Sequence, residues 1–171
     1  YYVCAIAQNT AGTRFGTVQS FSTTATPIVT TGSATLVTGT TATLNGTANP
    51  RGSAGTGWFR YSSTSPGTCN DTFGTRVSVT GATLGSGTTA VAYSEPITSL
   101  APGVTYYFCA LASNAVGITP GALSTFTTPS APIVTTSAAT SLLGAAATYN
   151  VSANPNRAAP TGYIRNATTN P

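Results

Sequence analysis

The sequence predicts an all-β chain of tandem Greek-key β-sandwiches, and three observations predict it. First, Tyr1-Tyr2-Val3-Cys4-Ala5-Ile6-Ala7 returns as Tyr106-Tyr107-Phe108-Cys109-Ala110-Leu111-Ala112. The offset of 105 residues holds without a gap to the last residue, and 30 of the 66 aligned pairs are identical. Second, short β-type segments separated by Gly, Pro and Asn fill the repeat, and helical periodicity is absent. Third, seven such segments fall within one period, which is the spacing of a sandwich with Greek-key connections.

A period of this length is too long for a solenoid repeat and is the size of a small domain. It divides the chain into three parts. Residues 1–25 are the C-terminal part of a first repeat, 26–130 a complete repeat, and 131–171 the N-terminal part of a third. Pro27-Ile28-Val29-Thr30-Thr31 matches Pro132-Ile133-Val134-Thr135-Thr136, and Asn45–Pro50 matches Asn150–Pro155. Thr26-Pro27 and Ala131-Pro132 open each unit directly after the last strand of the one before. A short, proline-stiffened junction of that kind favours a semi-rigid rod. Neither outer part holds a full set of strands, and a lone hairpin is marginal in water. The chain is therefore expected to be a window onto a longer array, or else to be completed by strand exchange between copies.

Along the complete unit, the first strand is read at Ile28–Thr31, β-branched and directly behind Pro27. The second, Thr41–Ala48, alternates so that Ala42, Leu44 and Ala48 point inward. The third, Gly57–Ser62, turns Phe59 and Tyr61 inward and so sends Trp58 and Arg60 to the outer face. Thr75–Val79 and Ala90–Ser94 are short runs bounded by Gly, Ser and Thr. The last two strands are read at Thr105–Ser113 and Leu123–Thr127.

Leu100-Ala-Pro102-Gly103-Val-Thr-Tyr106-Tyr-Phe108-Cys-Ala110-Leu-Ala112, followed by Asn114-Ala-Val-Gly117, resembles the fibronectin type III family. Ala42-Thr-Leu44-Asn-Gly-Thr-Ala48-Asn-Pro50 and Trp58-Phe-Arg-Tyr61 resemble versions found in bacterial surface proteins. The resemblance implies an immunoglobulin-like sandwich and leaves function open, because such modules serve as spacers, adhesins and enzyme appendages. The Arg-Gly-Asp loop of some cell-binding members is missing: residues 114–121 read Asn-Ala-Val-Gly-Ile-Thr-Pro-Gly. Tyr107-Phe-Cys109 also fits the Tyr-x-Cys of an immunoglobulin domain, in a register shifted by one residue that would invert the strand. An immunoglobulin pair needs its first Cys before the Trp, whereas Cys69 follows Trp58. The fibronectin-like register is therefore preferred, with Tyr106, Phe108, Ala110 and Ala112 inward and Cys109 outward.

Composition removes several function classes. Arg14, Arg51, Arg60, Arg76, Arg157 and Arg165 are the only cations, Asp71 and Glu95 the only acids, and charged residues make up 5% of the chain against a usual ~25%. A nucleic-acid surface needs clustered cations, and these are scattered, so no nucleic-acid partner is expected. No run approaches the ~20 apolar residues of a membrane span. Without His or Lys, and with two isolated acids, the chain lacks the inventory for general acid–base or nucleophilic catalysis. No enzyme activity, cofactor or metal site is expected: two thiols without His do not make a tetrahedral site. The absence of Lys also rules out Lys–Asn isopeptide staples. A low-charge, hydroxyl-rich surface lacks the repulsion that keeps domains apart, and it suits packing against copies of itself or a coat of sugar.

The cysteines suit an oxidising location outside the cell. Cys69 and Cys109 are read as a disulfide within the unit, with free or intermolecular thiols as the alternative. Cys4 is the counterpart of Cys109 and would pair outside the chain. Asn45, Asn70, Asn150 and Asn166 each open an Asn-x-Ser/Thr triplet, either a glycosylation acceptor or a chance product of a Thr-rich composition. Trp58 and Arg60 are either an ordinary stacked surface pair or a platform for cell-surface carbohydrate. The functional expectation is a structural segment of an extracellular filament, stalk or adhesin. Its alternative is a carbohydrate-binding or spacer module attached to a secreted hydrolase.

Overall fold

The computed structural model describes residues 1–144 and 146–167. It is all-β, a β-sandwich flanked by hairpins of the same kind. Before the complete unit come β1 (Tyr2–Val3), β2 (Ile6–Asn9), β3 (Gly12–Phe15) and β4 (Gln19–Ser20). The unit itself contains β5 (Ile28–Thr31), β6 (Ala42–Asn49), β7 (Gly55–Ser62), β8 (Thr75–Gly85), β9 (Val91–Ile97), β10 (Thr105–Asn114), β11 (Gly117–Pro120) and β12 (Ser124–Thr127). After it come β13 (Ile133–Leu143) and β14 (Ala146–Asn154).

One sheet has the order β5-β6-β9 and the other β11-β10-β7-β8, with β12 pairing β10 beside β11. All of these pairs are antiparallel. In β6 the residues alternate without exception between buried and half-buried, the pattern of a strand with one face on a core and one toward solvent. Leu44, Phe59, Phe108 and Ala110 are fully buried, and Tyr106, Tyr93 and Leu100 join them between the sheets. The sheets approach closely at Gly46, where a Cβ would lie 2.8 Å from the Ala110 Cβ.

The turn before β10 is fixed by its tyrosine. Tyr106 Oη accepts from Ala101 N at 2.9 Å, so the phenol closes the Leu100–Thr105 corner while its ring stacks on Phe126 in the core. Tyr93 is also buried, and its Oη donates to Leu111 O at 2.9 Å. Desolvation by burial pushes its pKa above the ordinary phenol range.

The repeat seen in the sequence recurs in the hydrogen bonds. Ile6 pairs Phe15 as Leu111 pairs Pro120, and Gly16 N donates to Ala5 O as Gly121 N donates to Ala110 O. Ile133 pairs Asn154 as Ile28 pairs Asn49. Asn150 Nδ2 reaches Ala138 O and Thr140 Oγ1 as Asn45 Nδ2 reaches Ser33 O and Thr35 Oγ1. The flanking hairpins thus take the local form of the matching strands in the complete unit.

Candidate functional site

Two features stand out beyond the core: a stapled outer face on β7 and β10, and the points where the chain enters and leaves the unit. The outer face is built from the residues that alternate with the core. Trp58 and Leu111 are cross-strand partners, as are Arg60 and Cys109. Cys69 is bonded to Cys109 across 40 residues, and this draws the excursion after β7 down over the sheet. Trp58, Cys109 and Leu111 are thereby buried in a second apolar cluster, with Cys69 and Phe73 packed on it.

A polar lattice holds the excursion in place. Asp71 Oδ1 accepts from Trp58 Nε1 at 2.8 Å and from Arg60 Nε at 2.9 Å. Arg60 also donates to the carbonyls of Asp71, Phe73 and Gly74. Arg76, opposite Arg60 on β8, lays its guanidinium 4.2 Å from the Trp58 ring centroid. One carboxylate, two residues after the bonded Cys69, therefore serves two donors.

Trp58 does face outward, but at 2% exposure it is no open platform. The stapled excursion covers the ring that a sugar would stack on, and Arg60 spends its donors on that excursion. The sequence placed the disulfide's excursion on the sheet beside Trp58 and Arg60, but not the burial of Trp58 that it causes. The signal for it was the unbroken apolar run Phe108-Cys-Ala-Leu-Ala112, which a strand covered on both faces produces.

Asp71→Ala would leave the Trp58 N–H and the Arg60 guanidinium without their shared acceptor, and is expected to cost about 2–3 kcal/mol. Glu95→Gln, which keeps the size of a half-buried side chain that has no ion pair among the described residues, should change stability by less than about 1 kcal/mol. Urea unfolding followed through the single tryptophan separates the two. Equal effects would show that the carboxylate does not hold the excursion.

The chain is clamped where it enters and leaves the unit. At the end of β10, Asn114 Nδ2 donates to Ala25 O at 2.7 Å and to Pro50 O at 2.9 Å. Directly after β12, the fully buried Thr128 reaches the corner before β10, donating through Oγ1 to Ala101 O at 2.7 Å and accepting from Val104 N at 3.1 Å. The Thr128 backbone is also paired, with Val104 O and Gly103 N. The two clamps sit at opposite ends of a ten-residue strand, roughly 30 Å apart at a strand's rise.

The candidate glycosylation triplets differ in structure. Asn45 and Asn150 point away from the core, but each uses the amide nitrogen that a glycan would occupy to bind a carbonyl and a hydroxyl. Asn70 is exposed, and its Oδ1 accepts from Thr72 N, Thr72 Oγ1 and Phe73 N, closing a turn of the stapled excursion. Asn166 is exposed, and the third residue of its triplet lies outside the described residues. Cys4 is a half-buried free thiol. Among the described residues no three His, Cys, Asp or Glu side chains gather as metal ligands, and no helix is long and apolar enough to cross a membrane.

No protein-family model matches the chain, and no curated protein matches it. Among solved structures it is similar to the sensor domain of the anti-sigma factor RsgI4 of Pseudobacteroides cellulosolvens. The shorter form of that domain aligns at 20% identity over 60% of this chain and 93% of the domain, with a TM-score of 0.43. The longer form aligns at 20% identity over 60% and 88%, with a TM-score of 0.40.

Proposed function

We propose that the chain is a structural, non-enzymatic segment of an extracellular fibre, stalk or surface adhesin, built from disulfide-stapled fibronectin type III-like units strung end to end. The observation that carries this reading is the pair of clamps. Asn114 fixes the chain at one pole of the sandwich and Thr128 at the other, so successive units continue along one axis. Only Pro129, Ser130 and Ala131 separate the Thr128 clamp from Pro132 of the next unit. There Asn156 Nδ2 holds Ala131 O at 2.6 Å, so the joint has little slack.

The sheet order and the Tyr106 corner support the fibronectin-like parsing, and the disulfide supports an oxidising, extracellular location. A spacer next to a secreted hydrolase would use the same geometry. A carbohydrate-binding role would need an aromatic face other than Trp58. Electron microscopy of the native polypeptide should show straight, thin particles whose length grows by roughly 30–40 Å per unit. Compact particles, in which added units thicken rather than lengthen the object, would overturn the rod.

A further inference from the structure

The Asn-x-Ser/Thr triplets differ in what their amide nitrogens are doing. Asn45 and Asn150 are half-buried residues of β6 and β14. Asn45 Nδ2 donates to Ser33 O at 2.8 Å and to Thr35 Oγ1 at 3.0 Å, and Asn150 Nδ2 makes the matching bonds at 2.8 and 3.1 Å. A sugar on either nitrogen would displace at least one of these bonds and leave its partner unmatched.

Asn70 is the opposite case. It is exposed on the stapled excursion, directly after the bonded Cys69. Its Oδ1 accepts from Thr72 N at 2.9 Å, from Thr72 Oγ1 at 2.8 Å and from Phe73 N at 3.1 Å. These bonds lock the side chain in an Asx turn through its oxygen alone. Its Nδ2 makes one long contact among the described residues, 3.5 Å to Thr68 O. A carboxamide carries two N–H groups, so a substituent can replace one while the other keeps that contact.

We propose that Asn70 is the residue at which the folded unit is N-glycosylated, by transfer of an oligosaccharide from a lipid-pyrophosphate donor. Asn70 Nδ2 attacks the anomeric carbon of the sugar. The new N–C bond forms as the carbon–oxygen bond to the pyrophosphate breaks. The electron pair leaves with the lipid pyrophosphate, and Nδ2 gives up one proton to a base on the transferring enzyme. The Thr72 hydroxyl, already donating to Oδ1, draws electron density from the carboxamide and eases the loss of that proton. The middle residue, Asp71, would repel the donor's pyrophosphate, but Arg60 balances its carboxylate at 2.9 Å. The excursion lies over the outer face of β7 and β10, away from the clamps at either end of β10, so a glycan there leaves the joints free. This goes beyond the rod reading, which needs no modification.

Tryptic mapping of the protein from its own source tests this. Cleavage at the arginines puts the triplets on separate peptides: residues 15–51 hold Asn45, 61–76 hold Asn70, 77–157 hold Asn150, and Asn166 follows Arg165. After reduction, peptide 61–76 should be heavier by the mass of a glycan, located on Asn70 by fragmentation, and Asn45 and Asn150 should be bare. Thr72→Val, made in the same cells, keeps the size of the side chain without its hydroxyl and should abolish the modification, whereas Thr72→Ser should retain it. Thr72 is exposed, so unchanged Trp58 emission shows that both variants keep the folded excursion. A bare Asn70 in the wild-type protein overturns the site and leaves the rod standing. A glycan on Asn45 or Asn150 overturns the selection by free amide nitrogen. A Thr72→Val protein still modified at Asn70 overturns the part given to the hydroxyl.

Discussion

Phe108→Ala is expected to destabilise the complete unit by about 3–5 kcal/mol, the range for deleting a fully buried phenylalanine from a packed core. Phe108 has no exposed surface and meets Phe126 edge-on with centroids 5.8 Å apart. Its neighbour Tyr107 lies on the other face of β10, half-exposed between Ser62 and Thr125. Tyr107→Ala should therefore cost less than about 1 kcal/mol. Chemical unfolding of the two variants measures the difference. Equal effects, or a larger loss at Tyr107, would mean that β10 sits one residue out of the register described here, with Tyr-x-Cys facing inward.

Register was legible because a strand with one wet face leaves a period of two in its residues. The first strand lies where Pro27 and its β-branched run placed it, and β6 buries Ala42, Leu44 and Ala48. Tyr106, Phe108, Ala110 and Ala112 all belong to the inter-sheet core. Alternation fails where a loop supplies a third layer. Cys109 and Leu111 are as buried as their inward neighbours because the stapled excursion covers them; the lost alternation over 108–112 marks a second covered face without saying that a loop covers it.

Glycine and proline misled in the opposite direction. The fourth strand was read as ending at Val79, but β8 continues to Gly85. Its register against β7 shifts between Gly57 and Phe59, and Gly81 takes a φ of 76° at the irregularity. A bulge absorbs the glycine that would otherwise signal a break. Gly117–Pro120 was read as loop and forms β11 at the edge of its sheet, where a proline's missing donor leaves no ladder bond unmade. Asn114 stood out only as part of its Asn-x-x-Gly117 pattern and not as a clamp, and Thr128 did not stand out. Their importance comes from the distant carbonyls they meet, and nothing in local sequence marks an Asn or Thr as a clamp.

Reducing the Cys69–Cys109 bond should lower stability by about 3–4 kcal/mol, the chain-entropy value for freeing a loop of this size. The bond closes 40 residues, and its Cys109 end is buried against Trp58. Release of the excursion should therefore shift tryptophan emission to the red before the two sheets part. The same bond has a larger consequence under tension. If the units form the proposed rod, tension enters each one through the clamps at Ala25 and Thr128, and an oxidised unit that unfolds cannot pay out the chain between Cys69 and Cys109. Forty residues at about 3.5 Å each are withheld, so reduction should lengthen each unfolding step by roughly 140 Å. Single-molecule stretching with and without reductant, and with Cys69→Ser in place of reductant, reads this directly. Unchanged step lengths would show that the bond does not limit the extension of a unit. Longer steps with unchanged thermal stability would confine its role to setting length under load.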